Sequence, residues 1–579
     1  MRDLTSLLTM SMNDSQMNLA LPKDMPLEPT GSLSKPIQIV DLFAGPGGLG
    51  EGFTSSGAGK HFEIVVSAEK DPKAWQTLRL RAFYRLLKKD RPERLAEYYS
   101  YCNDPKAPEA FSPSPDTQDL WDKAGEEAKC ITLGSEDGNT ILDDALEYGL
   151  TEERPWVLIG GPPCQAYSIV GRARNQAKAD YKAEDDHRHF LYKEYLRIIR
   201  EKQPTVFVME NVKGILSSKI NNERIFSNIL KDLSDPGQAL EKGAGKQYRI
   251  YSLATGASFG PGDDVDKIDP RAFIIKAEDY GIPQARHRVI LLGIATDSLP
   301  ASKEDVKLES GEPVISVGQI LKELPRLRSG LTKMADSQAN WAAVVSEQRS
   351  HLVAQTSPVD IKMWCTLRDL QKEFEPSVVP ENAGARRVKR AAKKDDGSTG
   401  DTSLDNWYLD PNLNYWLNHE ARGHMPTDLR RYLFASVYAG IHGTSPKGHK
   451  GFSLEGLAPD HKNWESGKFS DRFRVQLEDK PATTITSHIS KDGHYFIHYD
   501  PTQCRSLSVR EAARIQTFPD NYFFQGNRTE QFHQVGNAVP PLLASKIAKV
   551  VFRILFDKVD LYDKGTVEET EQKDDVVCA

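Results

Sequence analysis

The sequence has no run of about 18 or more apolar residues, and its N-terminal residues lack the hydrophobic stretch and cleavage site of a secretory signal. Cysteine is scarce: there are six in 579 residues, with no CxxC pair and no spacing typical of a metal site. A disulfide-stapled secreted domain and a zinc ribbon are therefore excluded, and the thiols are expected to be reduced. These absences predict a cytoplasmic protein that holds no metal and does not contact a membrane.

A strong excess of positive charge is also missing, because the formal net charge is −7. This argues mildly against a nucleic-acid-binding protein but does not exclude one, since the charge that meets a nucleic acid is local. The hydrophobic fraction of 39% and the charged fraction of 27% are typical of soluble globular proteins. The length predicts two or three domains.

Six short apolar runs are predicted to be buried strands, with amphipathic stretches between several of them. The runs are IQIVDLF (37–43), EIVVSAE (63–69), WVLIGG (156–161), TVFVMEN (205–211), YRIYSLA (248–254) and RVILLGIA (288–295). The amphipathic stretches include residues 189–202 and 222–233, which are predicted to be helices. Alternating strands and helices predict an α/β fold with a mostly parallel sheet covered by helices on both faces.

Beyond about residue 300 the pattern becomes irregular. Residues 386–403 form a basic and then acidic low-complexity stretch that we expect to be a solvated or disordered loop. The alternative is phosphate contact by its basic residues, Arg386, Arg387, Lys389 and Arg390. The segments NHEARGHM (418–425) and FSDRFRVQ (469–476) are distinctive, but no role can be assigned to them from sequence.

The C-terminal part shows helical signals again. Ser508 and Glu511 have the spacing of a capping box, which predicts a helix over 508–516. A final helix is predicted over about 541–556, and the acidic residues 563–579 are expected to be disordered.

A glycine-rich segment, VDLFAGPGGLGEGF (40–53), joins the first predicted strand to a helix. Such a turn lets the backbone approach a nucleotide-like ligand, although a purely structural turn is the alternative. It has no lysine for phosphates and no clean GxGxxG spacing, so neither an NTP nor a dinucleotide is favoured. Glu69 ends the next strand, where a carboxylate can accept hydrogen bonds from both ribose hydroxyls. Adenosine without a polyphosphate fits these residues best.

Reactive residues follow three other predicted strands. Cys164 comes after WVLIGG, and Glu210 ends the next strand, so both are expected at one edge of the sheet. In GIPQARHR (281–288), a period of two would place Gln284, Arg286 and Arg288 on one face. Taken alone, the cysteine is more typical of a buried core residue and the glutamate of the surface. Together with the glycine loop, these residues predict a thiol nucleophile assisted by an acid.

These segments resemble the DNA (cytosine-5) methyltransferases in their unpermuted motif order. DLFAGPGG resembles motif I, Glu69 stands at motif II, GPPCQAYS resembles motif IV, ENV (210–212) motif VI and GIPQARHR motif VIII. KPATTIT (480–486) resembles motif IX and QVGNAVPP (534–541) motif X. The Gly-Asp of motif III is not clear, and Ser135, Glu136 and Asp137 stay open as candidates for contacting adenine.

The resemblance implies a Rossmann-like fold, S-adenosylmethionine as methyl donor and double-stranded DNA as substrate. It implies that Cys164 attacks C6 of a flipped-out cytosine and that Glu210 holds or protonates N3. It also implies that Arg288 holds the base and its neighbouring carboxylate, and that Arg286 holds the flanking phosphate. The implied cofactor residues are Phe43, Ala44, Gly45, Gly48, Glu69, Lys70, Pro163, Asn537 and Val539. The implied substrate contacts are Gln165, Ser168 and Gln284.

The resemblance also implies a division of the chain. Its parts are a flexible N-terminal extension (1–36), a catalytic domain (37–300) with an insertion at about 82–130, a variable target-recognition domain (301–475), a return to the catalytic domain (476–558) and an acidic tail (559–579). A bacterial protein acting as a monomer on DNA is expected. It would belong to a restriction-modification or phage-defence system, with or without a cognate endonuclease. The alternatives are an RNA cytosine-5 methyltransferase of the same fold and a catalytically silent DNA-binding homologue.

Overall fold

The structure is a computed structural model that describes residues 33–163, 191–220, 223–243, 245–356, 360–391, 397–460, 464 and 472–574. The predicted N-terminal extension lies outside these residues except for its last four. None of the described helices is long and apolar enough to cross a membrane. Among the described residues, no group of three or more His, Cys, Asp or Glu side chains is placed to hold a metal ion.

A nine-stranded sheet forms the centre of the protein, in the order β3-β2-β1-β4-β5-β12-β8-β9, with β10 also paired to β12. Its strands are β1 (Ile37–Leu42), β2 (Phe62–Glu69), β3 (Ala128–Cys130), β4 (Val157–Gly160), β5 (Val206–Val212), β8 (Tyr248–Ser252), β9 (Ser258–Phe259), β10 (Ile274–Lys276) and β12 (His287–Ala295). The first five run parallel, and β12 enters antiparallel between β5 and β8. All six predicted strands and the predicted α/β fold are confirmed.

Eight shorter strands form two-stranded pairs. They are β6 (Lys219–Ile220) with β7 (Glu223–Arg224), β11 (Gln284–Ala285) with β17 (Ala482–Thr483), β13 (Gly330–Leu331) with β16 (Gly423–His424), and β14 (Gly384–Lys389) with β15 (Tyr415–Glu420). The α-helices are Gly48–Ser55, Pro72–Asp90, Ala96–Asn103, Gln118–Glu127, Glu136–Gly149, Leu191–Lys202, Ile225–Ser234, Pro236–Ala239, Val317–Leu321, Gln338–Thr356, Ile361–Asp369, Thr402–Tyr408, Pro426–His442, Gly448–Gly451, Val509–Ile515, Arg528–Asn537 and Pro541–Asp574.

Alternating side chains of the central strands point into two apolar layers, one on each face. In β5, Val206 and Val208 pack with the helix Pro541–Asp574. Phe207 and Met209 pack on the other face with the helix Leu191–Lys202. Because both faces are covered, the central strands are apolar along their whole length, which is why they were recognisable in the sequence.

The last helix is longer than the sequence predicted and runs from Pro541 to Asp574. Val559 is still fully buried, and the Arg154 Nε atom pairs with the Asp563 carboxylate at 3.0 Å. The helix continues past residue 556 because these residues still pack on, and pair with, the rest of the protein. The predicted disorder of residues 563–579 is therefore wrong as far as Asp574, and residues 575–579 lie outside the described part.

The low-complexity stretch 386–403 is also ordered wherever the structure describes it. Its first residues form β14, which pairs antiparallel with β15. Arg387 is buried, and its Nη2 donates to the Tyr101 carbonyl at 2.8 Å. Arg386 donates to the Gln525 side chain at 2.9 Å and Arg390 to the Asp410 carbonyl at 3.0 Å. Residues 386–389 therefore form a strand rather than the predicted loop, and Arg386, Arg387 and Arg390 bind groups inside the protein. Residues 397–401 have no regular secondary structure, although Gly397 and Thr399 are buried rather than solvated.

The segment NHEARGHM positions the helix Val509–Ile515. The His419 ring bonds the Ser508 hydroxyl at 2.9 Å through Nδ1 and the Pro325 carbonyl at 2.9 Å through Nε2. Ser508 and Glu511 form the predicted capping box, and the Glu511 carboxylate accepts two hydrogen bonds from Arg505. The segment therefore has a structural role. In FSDRFRVQ, residues 469–471 lie outside the described part, while the Gln476 side chain donates to the Tyr495 carbonyl at 2.8 Å.

This buried cluster predicts that the protein loses stability in mild acid. Burial lowers the pKa of both His419 and His498 to about 4, with nearby arginine charge contributing. In the unfolded chain their usual pKa of about 6.5 returns, so protonation favours unfolding as the pH falls from about 6.5 to 4. Burial alone would raise the pKa of Glu511, but Arg505 holds it far below its usual range, so Glu511 stays charged through this window.

We expect the protonation of each histidine to lower the free energy of unfolding by about 1–3 kcal/mol as the pH falls from about 6.5 to 4. Thermal unfolding should therefore show a Tm several degrees lower at about pH 5 than at about pH 7.5. The His419→Gln variant should narrow this difference, whereas His449→Gln, at an exposed position, should leave it unchanged. An identical pH dependence in all three proteins would contradict the assignment.

Candidate active site

A cavity of about 730 Å³ opens at the carboxyl ends of the parallel strands. It is lined by Asp41, Phe43, Ala44, Gly45, Pro46, Leu49, Ala68, Glu69, Lys70, Asp71, Pro72, Ala74, Ile131, Thr132, Leu133, Gly161, Pro162, Pro163, Leu191, Glu210, Asn211, Val212, Ser487, His533, Gln534, Asn537, Ala538 and Val539. Eight of the nine predicted cofactor residues are among them, and Gly48 is the exception. This edge of an α/β sheet is where ligands bind.

The glycine loop leaves β1 in a left-handed conformation and forms one wall. Phe43 has a φ of 58° and Gly45 a φ of 59°. The Gly45 N–H donates to the Glu69 carboxylate at 2.8 Å, which ties the loop to the end of β2. The other Glu69 oxygen accepts the Asp71 N–H at 2.7 Å. These bonds fix the orientation of the Glu69 carboxylate and leave lone pairs for further donors.

Carboxyl groups dominate the charged part of the wall: Asp41, Glu69, Asp71 and Glu210 against the single lysine Lys70. Asp41 is fully buried, and burial, reinforced by the charge of Glu69, raises its pKa to about 8. Burial also raises the pKa of Glu69, although the N–H groups of Asp71 and Gly45 oppose this. Asp41 is therefore mostly neutral near pH 7 and Glu210 is paired with Arg288, but Glu69 and Asp71 still outnumber Lys70, which favours a ligand that carries positive charge.

Gly48 lies behind the wall and lets the C-terminal segment dock against the loop. A Cβ atom at this position would lie 2.1 Å from the Val539 carbonyl oxygen. Gly52, one turn later, repeats the arrangement, with its Cβ position 2.3 Å from Ala544 Cβ. The close approach of the two segments brings Asn537 and Val539 to the cavity, although they are about 490 residues away from the loop in sequence.

Gly48→Ala is therefore expected to separate these segments. Overpacking of this kind lowers the free energy of unfolding by about 1–3 kcal/mol. It should also weaken at least tenfold the binding of S-adenosylhomocysteine, the demethylated form of the cofactor that the sequence resemblance implies, because the glycine loop and the C-terminal segment move apart. Isothermal titration calorimetry and thermal unfolding measure both effects. Gly440→Ala is the matched control, since its Cβ would meet nothing within 4 Å inside the helix Pro426–His442. Equal affinity in the two variants would contradict the docking role.

Glu210 stands on the cavity wall and pairs with Arg288. The Arg288 Nε lies 2.9 Å from Glu210 Oε1, an ion pair whose side chains are 15% and 13% exposed. Arg286 is buried beside them and donates to the Ile485 carbonyl at 2.8 Å. Burial and the charge of Arg288 lower the pKa of Arg286 to about 9. The structure thus places both predicted arginines next to Glu210, which lines the cavity, although neither arginine is among the lining residues.

Gln284 does not reach this site. It is fully buried, its amide nitrogen donates to the Ile515 carbonyl and the Gln516 side chain, and its oxygen accepts the Ile485 N–H at 2.7 Å. Both amide atoms are therefore bonded within the protein. Instead of contacting the substrate, as the resemblance implied, Gln284 links β11 to the C-terminal segments around Ile485 and Ile515.

Cys164, Gln165 and Ser168 lie outside the described residues. The chain reaches the cavity just before them, since Gly161, Pro162 and Pro163 are on the wall. The Asn211 side chain of ENV donates to the Pro162 carbonyl at 3.3 Å, next to Glu210. Cys164 is therefore attached directly to a segment that the structure places at the cavity.

Some residues of the cavity wall were not predicted from the sequence. Of the three candidates for contacting adenine, Ser135 caps the helix Glu136–Gly149, and Glu136 and Asp137 are exposed. The residues after β3 that line the cavity are Ile131, Thr132 and Leu133. The signal that could have found them is their position at the carboxyl end of a strand, but β3 is only three residues long. Ser487 and His533 were missed because nothing in their sequence distinguishes them from surface residues.

Comparison with known proteins gives a consistent result. Residues 37–91 and 137–553 match the family model described as C-5 cytosine-specific DNA methylase. The chain is 32% identical to the type II methyltransferase M.Bpa9945I of Bacillus paralicheniformis over 535 residues, which cover 89% of this chain and 98% of the relative. It is 26% identical to the type II methyltransferase M.AgeI of Thalassovita gelatinovora over 529 residues, covering 89% and 99%.

The family match spans most of the chain and includes every segment of the cavity wall except Ile131–Leu133, which fall in the unmatched residues 92–136. The relatives match over nearly their whole length. The chain therefore belongs to the C-5 cytosine-specific DNA methylase family and is a DNA cytosine-5 methyltransferase.

Proposed function

We propose that the protein methylates C5 of cytosine within a specific word of duplex DNA through a covalent adduct between Cys164 and C6 of a flipped-out base. The observation that carries this proposal is one cavity walled by the glycine loop, by Glu210 with its Arg288 partner, and by the residues that lead into Cys164.

The wall fits S-adenosylmethionine. Glu69 keeps acceptor capacity for ribose hydroxyls, and the carboxylates of Glu69 and Asp71, which outnumber Lys70, suit a sulfonium cation. Phe43, Ala44, Gly45, Lys70, Pro163, Asn537 and Val539 would complete the binding site. When bound, S-adenosylmethionine supplies the methyl group.

The protein's own residues activate the base. The Cys164 thiolate forms a bond from Sγ to C6, and the electron pair of the C5–C6 double bond becomes available at C5. Glu210 holds or protonates N3, which neutralises charge on the ring. Arg288 pairs with Glu210 and orients its carboxyl group. After methyl transfer a base removes the proton from C5, and the electron pair of that C–H bond re-forms the double bond and expels the sulfur as a thiolate. Any proton received by N3 returns to Glu210.

DNA enters this scheme as a duplex whose target cytosine leaves the stack, because C6 is not accessible to a thiol inside a base pair. We assign residues 301–475 to recognition of the DNA word, since they lie in sequence between the wall residues Val212 and Ser487. A restriction-modification context is favoured by the type II names of both relatives.

Bisulfite sequencing of DNA from cells that express the protein tests this function. The proposal predicts complete methylation at every copy of one short word. Methylation of RNA cytosines alone would identify the RNA-modifying alternative. Loss of methylation together with retained DNA binding by the purified protein would identify a silent homologue.

A further inference from the structure

The back of the glycine loop rests on a tyrosine that is almost 480 residues away in sequence. The Tyr522 hydroxyl donates to the Pro46 carbonyl. Gly47, with a φ of 96°, packs so closely on this ring that a Cβ would lie 2.9 Å from the tyrosine oxygen. Tyr522 is 1% exposed, so the bond is shielded from water. The ring therefore supports the loop from the side opposite to the cavity.

A buried ion pair extends this support to the first helix after the loop. Arg81 makes two hydrogen bonds to Glu51, and both side chains are nearly buried. Burial alone would raise the pKa of Glu51, but Arg81 holds it below its usual range. The guanidinium group also lies 4.9 Å from the Tyr522 ring centroid and donates to the Asn521 side chain at 2.9 Å. Loop, helix and tyrosine are thus joined through Arg81.

Asn521 is anchored in turn by the helix Ala96–Asn103. The Tyr98 hydroxyl donates to the Asn521 carbonyl at 2.5 Å. The Asn521 amide nitrogen donates to the Asp410 carboxylate at 2.6 Å, and the Tyr99 hydroxyl donates to the same carboxylate oxygen at 2.5 Å. This helix belongs to residues 92–136, which the family model leaves unmatched. The inserted segment therefore contacts Asn521, the neighbour of the tyrosine that supports the glycine loop.

We infer that Tyr522 is a positioning residue for the cofactor, and that Tyr98 in the inserted segment holds it in place. The inference rests on the proposed function, since it assigns the glycine loop to S-adenosylmethionine. Tyr522 is not among the residues that line the cavity, so it acts on the cofactor through the backbone at Pro46 and Gly47. Its loss should weaken cofactor binding without changing the chemistry at Glu210.

Tyr522→Phe tests this inference, because it removes the hydroxyl and keeps the ring. We expect the Kd for S-adenosylhomocysteine and the KM for S-adenosylmethionine to rise about tenfold. The kcat at saturating cofactor and the KM for DNA should stay within about twofold. Tyr98→Phe should raise the same Kd by a smaller factor, about threefold. It removes the hydrogen bond to Asn521, which contacts the glycine loop only through its neighbour Tyr522.

Tyr248→Phe is the control, since it also removes one buried hydroxyl bond to a carbonyl, that of Pro204, far from the glycine loop. A purely structural role predicts equal Kd values for S-adenosylhomocysteine in Tyr522→Phe, Tyr248→Phe and the wild type, and that result would overturn the inference. Failure of the wild type to bind S-adenosylhomocysteine would instead overturn the proposed function, so the two failures are distinguishable.

Discussion

Replacing Cys164 by serine is expected to lower kcat by a factor on the order of 10⁴ or more. A serine hydroxyl is far less nucleophilic than a thiolate at neutral pH and cannot add to C6 at a useful rate. Binding of S-adenosylhomocysteine should stay within about twofold of the wild type, because no predicted cofactor contact involves the sulfur. Transfer of a tritiated methyl group to duplex DNA, together with calorimetry, measures both quantities.

Cys365→Ser is the matched control, because Cys365 is a partly exposed thiol on the helix Ile361–Asp369. It should retain full activity. If Cys164→Ser methylates DNA at a rate close to that of Cys365→Ser, the covalent mechanism is wrong.

Replacing Glu210 by glutamine should lower kcat by about 10²–10⁴-fold. The amide is nearly the same size, but it cannot donate a proton to N3 and it leaves Arg288 without its carboxylate partner. Affinity for S-adenosylhomocysteine should change by no more than about threefold. Single-turnover kinetics with enzyme in excess over DNA isolates the chemical step from product release.

Glu278→Gln provides the control for this variant. Glu278 is hydrogen-bonded at 2.6 Å to the ring of His287, one residue before Arg288 in β12, so the substitution also removes a carboxylate contact near the same strand. We expect Glu278→Gln to keep normal single-turnover rates. A Glu210→Gln rate within tenfold of the wild type would show that Glu210 does not act as the acid.

Much of the central sheet could be predicted because its strands are buried on both faces and read as apolar runs. The short strands β3, β9 and β10 were missed, since two or three residues carry no periodic signal. Sequence also could not give the strand order, in which β12 lies between β5 and β8. That order depends on packing among residues distant in the chain. The long final helix was cut short for the same reason, because Arg154 pairs with Asp563 from more than 400 residues away.

Site residues could be predicted where they lie at the carboxyl ends of predicted strands. Glu69 ends β2, Glu210 lies two residues before the end of the parallel strand β5, and both line one cavity, as the sequence indicated. Gln284 was misplaced because its surroundings come from distant parts of the chain: β11 pairs with β17, and both amide atoms of Gln284 bond Ile485, Ile515 and Gln516. The support of the loop by Tyr522 was invisible, since it joins segments that only the fold brings together.

The most direct test uses duplex DNA that carries 5-fluorocytosine at the target position identified by bisulfite sequencing. Fluorine cannot leave C5 as a cation, so after methyl transfer the bond between Sγ and C6 cannot be released. In the presence of S-adenosylmethionine, we predict a denaturation-resistant complex in which peptide mapping finds the nucleotide attached to Cys164. An unmodified Cys164, under conditions in which ordinary cytosine at the same position is methylated, would contradict the account.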